Sequence, residues 1–313
     1  MAETIQEILN QSLKLWKTNL PISVAYVLYS ILNVIVSIAG IGIISYLLLK
    51  DIPAELVSPE LFKFNNEALL NQFGEHLIKA LTTNWNWLII LITILVLFII
   101  VALITAYFYA GLTGMCKIAN ENGKTGFSDL MKYGKDYFIK MLVGFILYFI
   151  VLMIITIPCS FIIGLVNILL TMIHPYLAAI MNQIFGLFMT LIALFLTFSL
   201  YSIVIEENKG ALNGFKAGLS FIINNLKDAS ILVILLTIVS FLFSLLMNIM
   251  SFAFFYLYSM NLSIVLITVI GILLGLVTII ISLLSIAFIN PYFHIAFVRL
   301  YMSRTNKYLR SKK

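Results

Sequence analysis

Along the chain, long charge-free apolar runs alternate with short segments in which apolar residues recur at three-and-four spacing among polar ones. A helix needs about 20 apolar residues to cross the hydrocarbon core of a bilayer. Six runs meet that length: Leu20–Leu49, Trp87–Gly114, Met141–Leu170, Tyr176–Ile205, Ala229–Tyr258 and Leu262–Ala296. None contains Asp, Glu, Lys or Arg. Several approach 30 residues, so tilt or extension beyond the lipid is expected. The first run is too long for the apolar core of a signal peptide and reads as a retained span. The pattern predicts an all-α polytopic helical membrane protein with six transmembrane helices, one membrane domain over residues 1–313.

An amphipathic stretch precedes each odd-numbered span. In the first, Ile5, Ile8, Leu9, Leu13 and Trp16 form the apolar stripe, and Thr4 with Glu7 fits a capping box. The second starts at an expected Ser128 cap and carries Leu130, Met131, Tyr137 and Phe138. The third carries Leu212, Phe215, Leu219, Ile222 and Leu226. Such helices lie at a headgroup boundary when their basic side meets lipid phosphates. The even-numbered spans end alike, in "YFYAGL", "FSLYSI" and "INPYFH". Their tyrosines, Tyr109, Tyr201 and Tyr292, are spaced by 92 and 91 residues. Spacing of this kind marks an internal repeat. The expected units are 1–118, with an external insert at 50–86, then 119–206 and 207–313.

Charge orients the spans. Of 19 Lys and Arg residues, only Lys50, Lys63 and Lys79 fall on the side of the 50–86 segment. The positive-inside rule therefore places both termini in the cytoplasm. Hydrophobic residues make up 62% of the chain and charged ones 10%, against about 45–50% and about 25% in soluble domains. The net charge of +6 lies beside membrane helices, which points to anionic headgroups of the bilayer as the partner and not to nucleic acid. Within 50–86, Leu69, Leu70, Phe73, Leu77, Ile78 and Leu81 predict a helix lying on the outer face, and Trp85 and Trp87 anchor the returning span.

Candidate chemistry is sparse. No ionisable group lies at mid-depth in the six runs, which disfavours proton coupling through a buried carboxylate. Asn33 lies within the first span, and Asn167, Asn182, Gln183 and Asn248 fall toward the outer leaflet, where they line a shallow polar pathway or fix helix register. At the cytoplasmic end, Asn290 and His294 are four apart on one face, and His294 is expected to snorkel at the interface. Pro158 predicts a kink and Pro291 a bend or end of its helix. Gly271 and Gly275 form a GxxxG pair suited to close helix contact, with another span or another copy as partner. Cys116 and Cys159 fall at different depths and are not expected to pair. No catalytic motif, metal cluster or cofactor site is read, and none is expected. A site assembled from His294, Glu206, Glu207 and Asp129, as in a lipid-modifying enzyme, has no spacing rule behind it.

The segment "GLTGMCKIANENGKTGFSDLMKYGKDYF", residues 111–138, resembles the polytopic domain fused to some glycerophosphodiester phosphodiesterases and its stand-alone prokaryotic relatives. The resemblance implies a prokaryotic cell-membrane location and no catalytic residues for the membrane part. The expected role is that of a non-catalytic membrane bundle acting in scaffolding, lipid contact or partner binding, including homo-oligomers. A passive channel or transporter for an uncharged or amphiphilic solute is the alternative. Cysteines introduced across 50–86 are expected to react with an impermeant thiol reagent from outside only; labelling from the cytoplasm contradicts the orientation.

Overall fold

The computed structural model describes residues 3–50, 67–82, 86–207, 209–259 and 264–305. Among them, every regular element is a helix: α1 (Ile5–Thr18), α2 (Leu20–Leu49), α3 (Glu67–Thr82), α4 (Asn86–Asn122), α5 (Phe127–Ile173), α6 (Pro175–Ile205), α7 (Ala211–Asn224), α8 (Leu226–Ser259), α9 (Ile264–Leu284) and α10 (Asn290–Arg304). A π-helical turn, Ser285–Ile289, joins α9 to α10. Six helices are long and apolar enough to span a membrane: Leu20–Leu49, Trp87–Asn122, Phe127–Ile173, Ile180–Ile205, Leu226–Met250 and Val269–Arg304. This is the fold of a multi-pass membrane protein.

The chain forms two compact units, residues 29–105 and the remainder. In the smaller unit, the Tyr29 hydroxyl lies 3.2 Å from the Thr105 hydroxyl, and Gly40 packs against the Leu97 side chain. Asn33 donates to its own helix at Tyr29 O, 3.0 Å. Helix α3 forms where the 50–86 segment was expected to be helical, with Ile78 exposed. The other five apolar positions of that segment, and Trp85, lie outside the described side chains.

The larger unit places its core at the ends of the returning helices. On α4, Ala110 to Lys117 are all buried; on α6, Phe198 to Ile205, with Glu206 just after it; on α10, Phe293 to Val298. The "FSLYSI" motif lies within the α6 stretch, and "YFYAGL" and "INPYFH" run into the other two, so the packed core begins at the tyrosine motifs. Small side chains permit the approach. Gly111 faces the Leu130 backbone and Gly114 the Tyr133 ring, while Gly134 receives the Tyr107 ring. Across α6 and α7, Gly218 sits on the backbone of Phe198 and Ser199, and Gly214 on that of Ile203.

Helix boundaries differ from expectation in instructive ways. The α1/α2 break falls at Asn19 and the α7/α8 break at Asn225. In each, the asparagine amide donates to the carbonyl four residues back, Leu15 or Phe221, competing with the helical ladder. No such residue separates the second amphipathic stretch from its span, so α5 is one helix of 47 residues. At about 1.5 Å per residue it extends about 70 Å, well beyond a hydrocarbon core of about 30 Å. Its cap is Gly126 and not Ser128; the Asp129 carboxylate accepts from the Gly126 N–H at 3.0 Å and the Thr125 hydroxyl at 2.8 Å. Helix α5 also continues through Pro158.

The second and third amphipathic faces keep Leu130, Tyr137 and Phe215 of the expected stripes and turn the rest part of the way round. Helix α5 buries Leu130, Tyr133, Gly134 and Tyr137 and exposes Met131. Helix α7 buries Gly214, Phe215, Gly218 and Phe221, while its Leu212 is exposed, as is Leu226 at the start of α8. Glycines count as polar in a hydropathy stripe, yet here they are the contact surface. The α1 capping box forms as read, with Glu7 N–H on Thr4 and Thr4 N–H on Glu7. Cys116 and Cys159 are free. Gly218→Ala places a methyl against the α6 backbone and is expected to lower stability by about 1–3 kcal/mol. Gly164→Ala and Gly186→Ala, which meet open space, are expected to be neutral or stabilising in the same thermal unfolding assay.

Candidate functional site

The polar residues of "AFINPYFHIAF" arise from a change in helical winding. In the π turn, Asn290 donates its backbone N–H to Ser285 O, five residues back. Pro291 has no N–H, so the carbonyl four residues before it, that of Ala287, lacks its helical donor. The Trp16 indole N–H supplies one at 3.3 Å and is shared with the Ser23 hydroxyl at 2.9 Å. The Trp16 ring meets Phe288 edge-on, centroids 4.6 Å apart. Pro291 therefore neither ends the helix nor leaves its backbone unsatisfied.

One turn later lies His294, 2% exposed, where snorkelling was the sequence expectation. The extra π residue and continued α10 carry it into the core. Both ring nitrogens are engaged: Nδ1 with the Tyr26 hydroxyl, Nε2 with Thr113 Oγ1 at 3.0 Å. Thr113 spends its one proton on Tyr109 O at 2.7 Å, so its oxygen accepts from Nε2–H. That network makes Nε2 a protonated nitrogen and sets Nδ1 against the Tyr26 hydroxyl. The His294 ring lies 4.6 Å from that of Tyr201 and 5.4 Å from that of Tyr109. Tyr109 and Tyr201 are themselves 5.6 Å apart and nearly parallel. One ring from each of α4, α6 and α10 thus meets at a single point. Tyr292, the expected repeat partner, points elsewhere and donates to Leu9 O.

A ring of ionic contacts closes the same end. Arg299 grips both oxygens of Glu3, at 2.9 and 2.5 Å, and Asn120 at 3.2 Å. Arg304 pairs with Asp228 at 2.7 Å. Tyr301 donates to Glu206, which also meets Lys209 at 3.1 Å. Glu207 takes Lys117 and the Tyr133 hydroxyl. Burial alone would raise the Glu207 carboxyl, but the Lys117 ammonium and Tyr133 outweigh it and hold it below the usual carboxylate value. Asn19 ties the α4/α5 link, donating to Gly123 O at 3.0 Å and accepting from Thr125 N–H at 2.8 Å. Gly123 holds φ +78°, a conformation suited to glycine. His294, Glu206, Glu207 and Asp129 therefore serve four separate contacts. Among the described residues, no group of three His, Cys, Asp or Glu side chains is placed to hold a metal ion.

The amide candidates are dispersed. Asn167 donates to Asn182 Oδ1 at 2.6 Å, joining α5 to α6. Gln183 and Asn248 are exposed, the latter on a shallow depression with Ile249, Phe252 and Ala253. Asn33 belongs to the smaller unit. Asn290 is exposed, so it and His294 do not form one polar face. Sequence reasoning did not reach Trp16, Tyr26 and Thr113 as partners. The Pro291 rule identifies Ala287 as needing a donor, though the donor lies 271 positions away. His294→Ala removes both hydrogen bonds and leaves a cavity, an expected loss of about 2–4 kcal/mol in unfolding free energy. Asn290→Ala is expected to be near neutral by the same measurement.

A family model described as "Domain of unknown function (DUF7847)" matches residues 84–301, the stretch that contains all three converging rings. The chain is also similar to an uncharacterised protein of Archaeoglobus fulgidus, with 28% identity over 245 residues, covering 74% of this chain and 78% of the relative. No solved structure matches. Because the matched region covers most of the chain and its packed core, the protein belongs to the DUF7847 family.

Proposed function

We propose that this protein is a non-catalytic bundle of a prokaryotic cell membrane, with both termini cytoplasmic, that scaffolds or binds partners in and at the bilayer. The carrying observation is how its reactive side chains are used. Both nitrogens of His294 are bonded, and Glu207, Arg299 and Arg304 are each held in an ion pair. Catalysis needs groups poised toward a substrate, and these are committed to one another. Beyond the core, the most apolar windows of α4 and α5 contain no buried residue, which leaves broad surfaces for lipid or for other membrane helices.

The reading includes three repeats. Tyr109 and Tyr201 are 92 residues apart, and His294 follows Tyr201 by 93. The π turn before His294 accounts for the additional residue, since its bonds skip one more position than α-helical ones. Asn19 and Asn225 support the same scheme as matching helix breaks, each followed by an exposed leucine, Leu20 or Leu226. Kinship with the membrane domain of glycerophosphodiester phosphodiesterases belongs to this proposal and rests on residues 111–138.

Liposomes containing the purified protein are expected to show no flux of small uncharged solutes above protein-free vesicles. Reproducible flux abolished by Asn33→Leu would replace the scaffold reading with a channel.

A further inference from the structure

The arginines and lysines of the packed end behave differently. Arg299 and Arg304 turn inward onto Glu3 and Asp228. Lys135 and Lys227 are exposed, and among the described residues neither forms an ion pair. Each follows, by four positions, a large apolar side chain left in the open: Met131, 65% exposed, on α5 with Lys135, and Ile223, 77% exposed, at the end of α7 and across the Asn225 break from Lys227 on α8. Each is followed by an aspartate, Asp136 or Asp228. The two sets lie 92 residues apart, the spacing that separates Tyr109 from Tyr201. Ile139 on α5 and Leu212 on α7 add exposed apolar surface, and Lys132 and Lys216 on the same two helices add charge.

An exposed methionine or isoleucine one turn of chain before an exposed lysine outside any ion pair is poorly suited to bulk water. It suits the boundary of a leaflet, where the apolar group enters the acyl region and the ammonium meets a phosphate. A lysine outside any ion pair is drawn to an anionic surface, whereas an arginine already neutralised by a carboxylate gains little. Lys132 leans on the Tyr133 ring at 5.8 Å and so contributes less freely. Resting on the membrane reading above, we infer that the Met131/Lys135 and Ile223/Lys227 pairs form two repeat-related contacts for anionic phospholipid headgroups in the cytoplasmic leaflet.

The test compares thermal unfolding of the full chain in phosphatidylcholine vesicles with and without phosphatidylglycerol. Phosphatidylglycerol is expected to raise the melting temperature of the unmodified protein, and high salt to weaken the shift. The Lys135→Gln/Lys227→Gln variant should lose at least half of it, the Lys135→Arg/Lys227→Arg variant should keep it, and Met131→Ser/Ile223→Ser should reduce it. An equal shift in the Gln variant, or none in the unmodified protein, overturns the inference while leaving membrane insertion intact. Recovery of the protein in the aqueous phase without detergent would instead overturn the membrane reading itself. Inorganic phosphate added to phosphatidylcholine vesicles should produce no shift; a shift equal to that of phosphatidylglycerol would make the contact a phosphate site and not a lipid one.

Discussion

The larger unit depends on the mutual burial of three helix ends. Where α4, α6 and α10 converge, side chains are excluded from solvent on every side of the helix, a condition that a peripheral amphipathic helix does not meet. Burial of that kind is stable only if the polar groups inside it find partners. His294 supplies this by bridging Tyr26 and Thr113, and Trp16 supplies it for the carbonyl that Pro291 leaves free. Removing the polar partners while keeping the apolar packing would strand donors in a dry core.

The same convergence explains the placement of the shorter helices. Helix α1 packs on α10, and α7 on α6, because the span ends they cover would otherwise present Phe198, Phe297 and Tyr301 to water. Glycine sets how near they come, as at Gly214 and Gly218. Charges then surround the apolar centre, with Arg299, Arg304 and Lys117 each facing a carboxylate. Partly buried pairs are lost at high cost if one member is removed, because the other stays desolvated. The ionic ring therefore favours one arrangement of the helix ends over near alternatives.

Much of this was legible in the chain. Length and the absence of charge located all six long helices, with Leu20–Leu49 matching to the residue. The Thr4/Glu7 cap was readable because its partners are three residues apart. What failed depended on distance in sequence or on small residues. The tyrosine motifs were located correctly as segments, but hydropathy cannot distinguish an interfacial aromatic from a core one. A π turn leaves no hydrophobic period of its own, so the sequence pattern points to Tyr292 where the structure packs His294 against Tyr109 and Tyr201. The continuity of α5 follows from lacking an asparagine like Asn19 or Asn225, a difference visible only once those caps are known.

The central claim is that residues 290–304, though rich in polar and aromatic groups and placed at the end of a span, are the most deeply held part of the larger unit. Hydrogen–deuterium exchange of the protein in lipid nanodiscs tests this directly. Amides of 290–304 are predicted to exchange among the slowest in the chain and far more slowly than those of α3. Exchange there at the rate of a fraying helix end, with the mid-span amides still protected, would contradict the account.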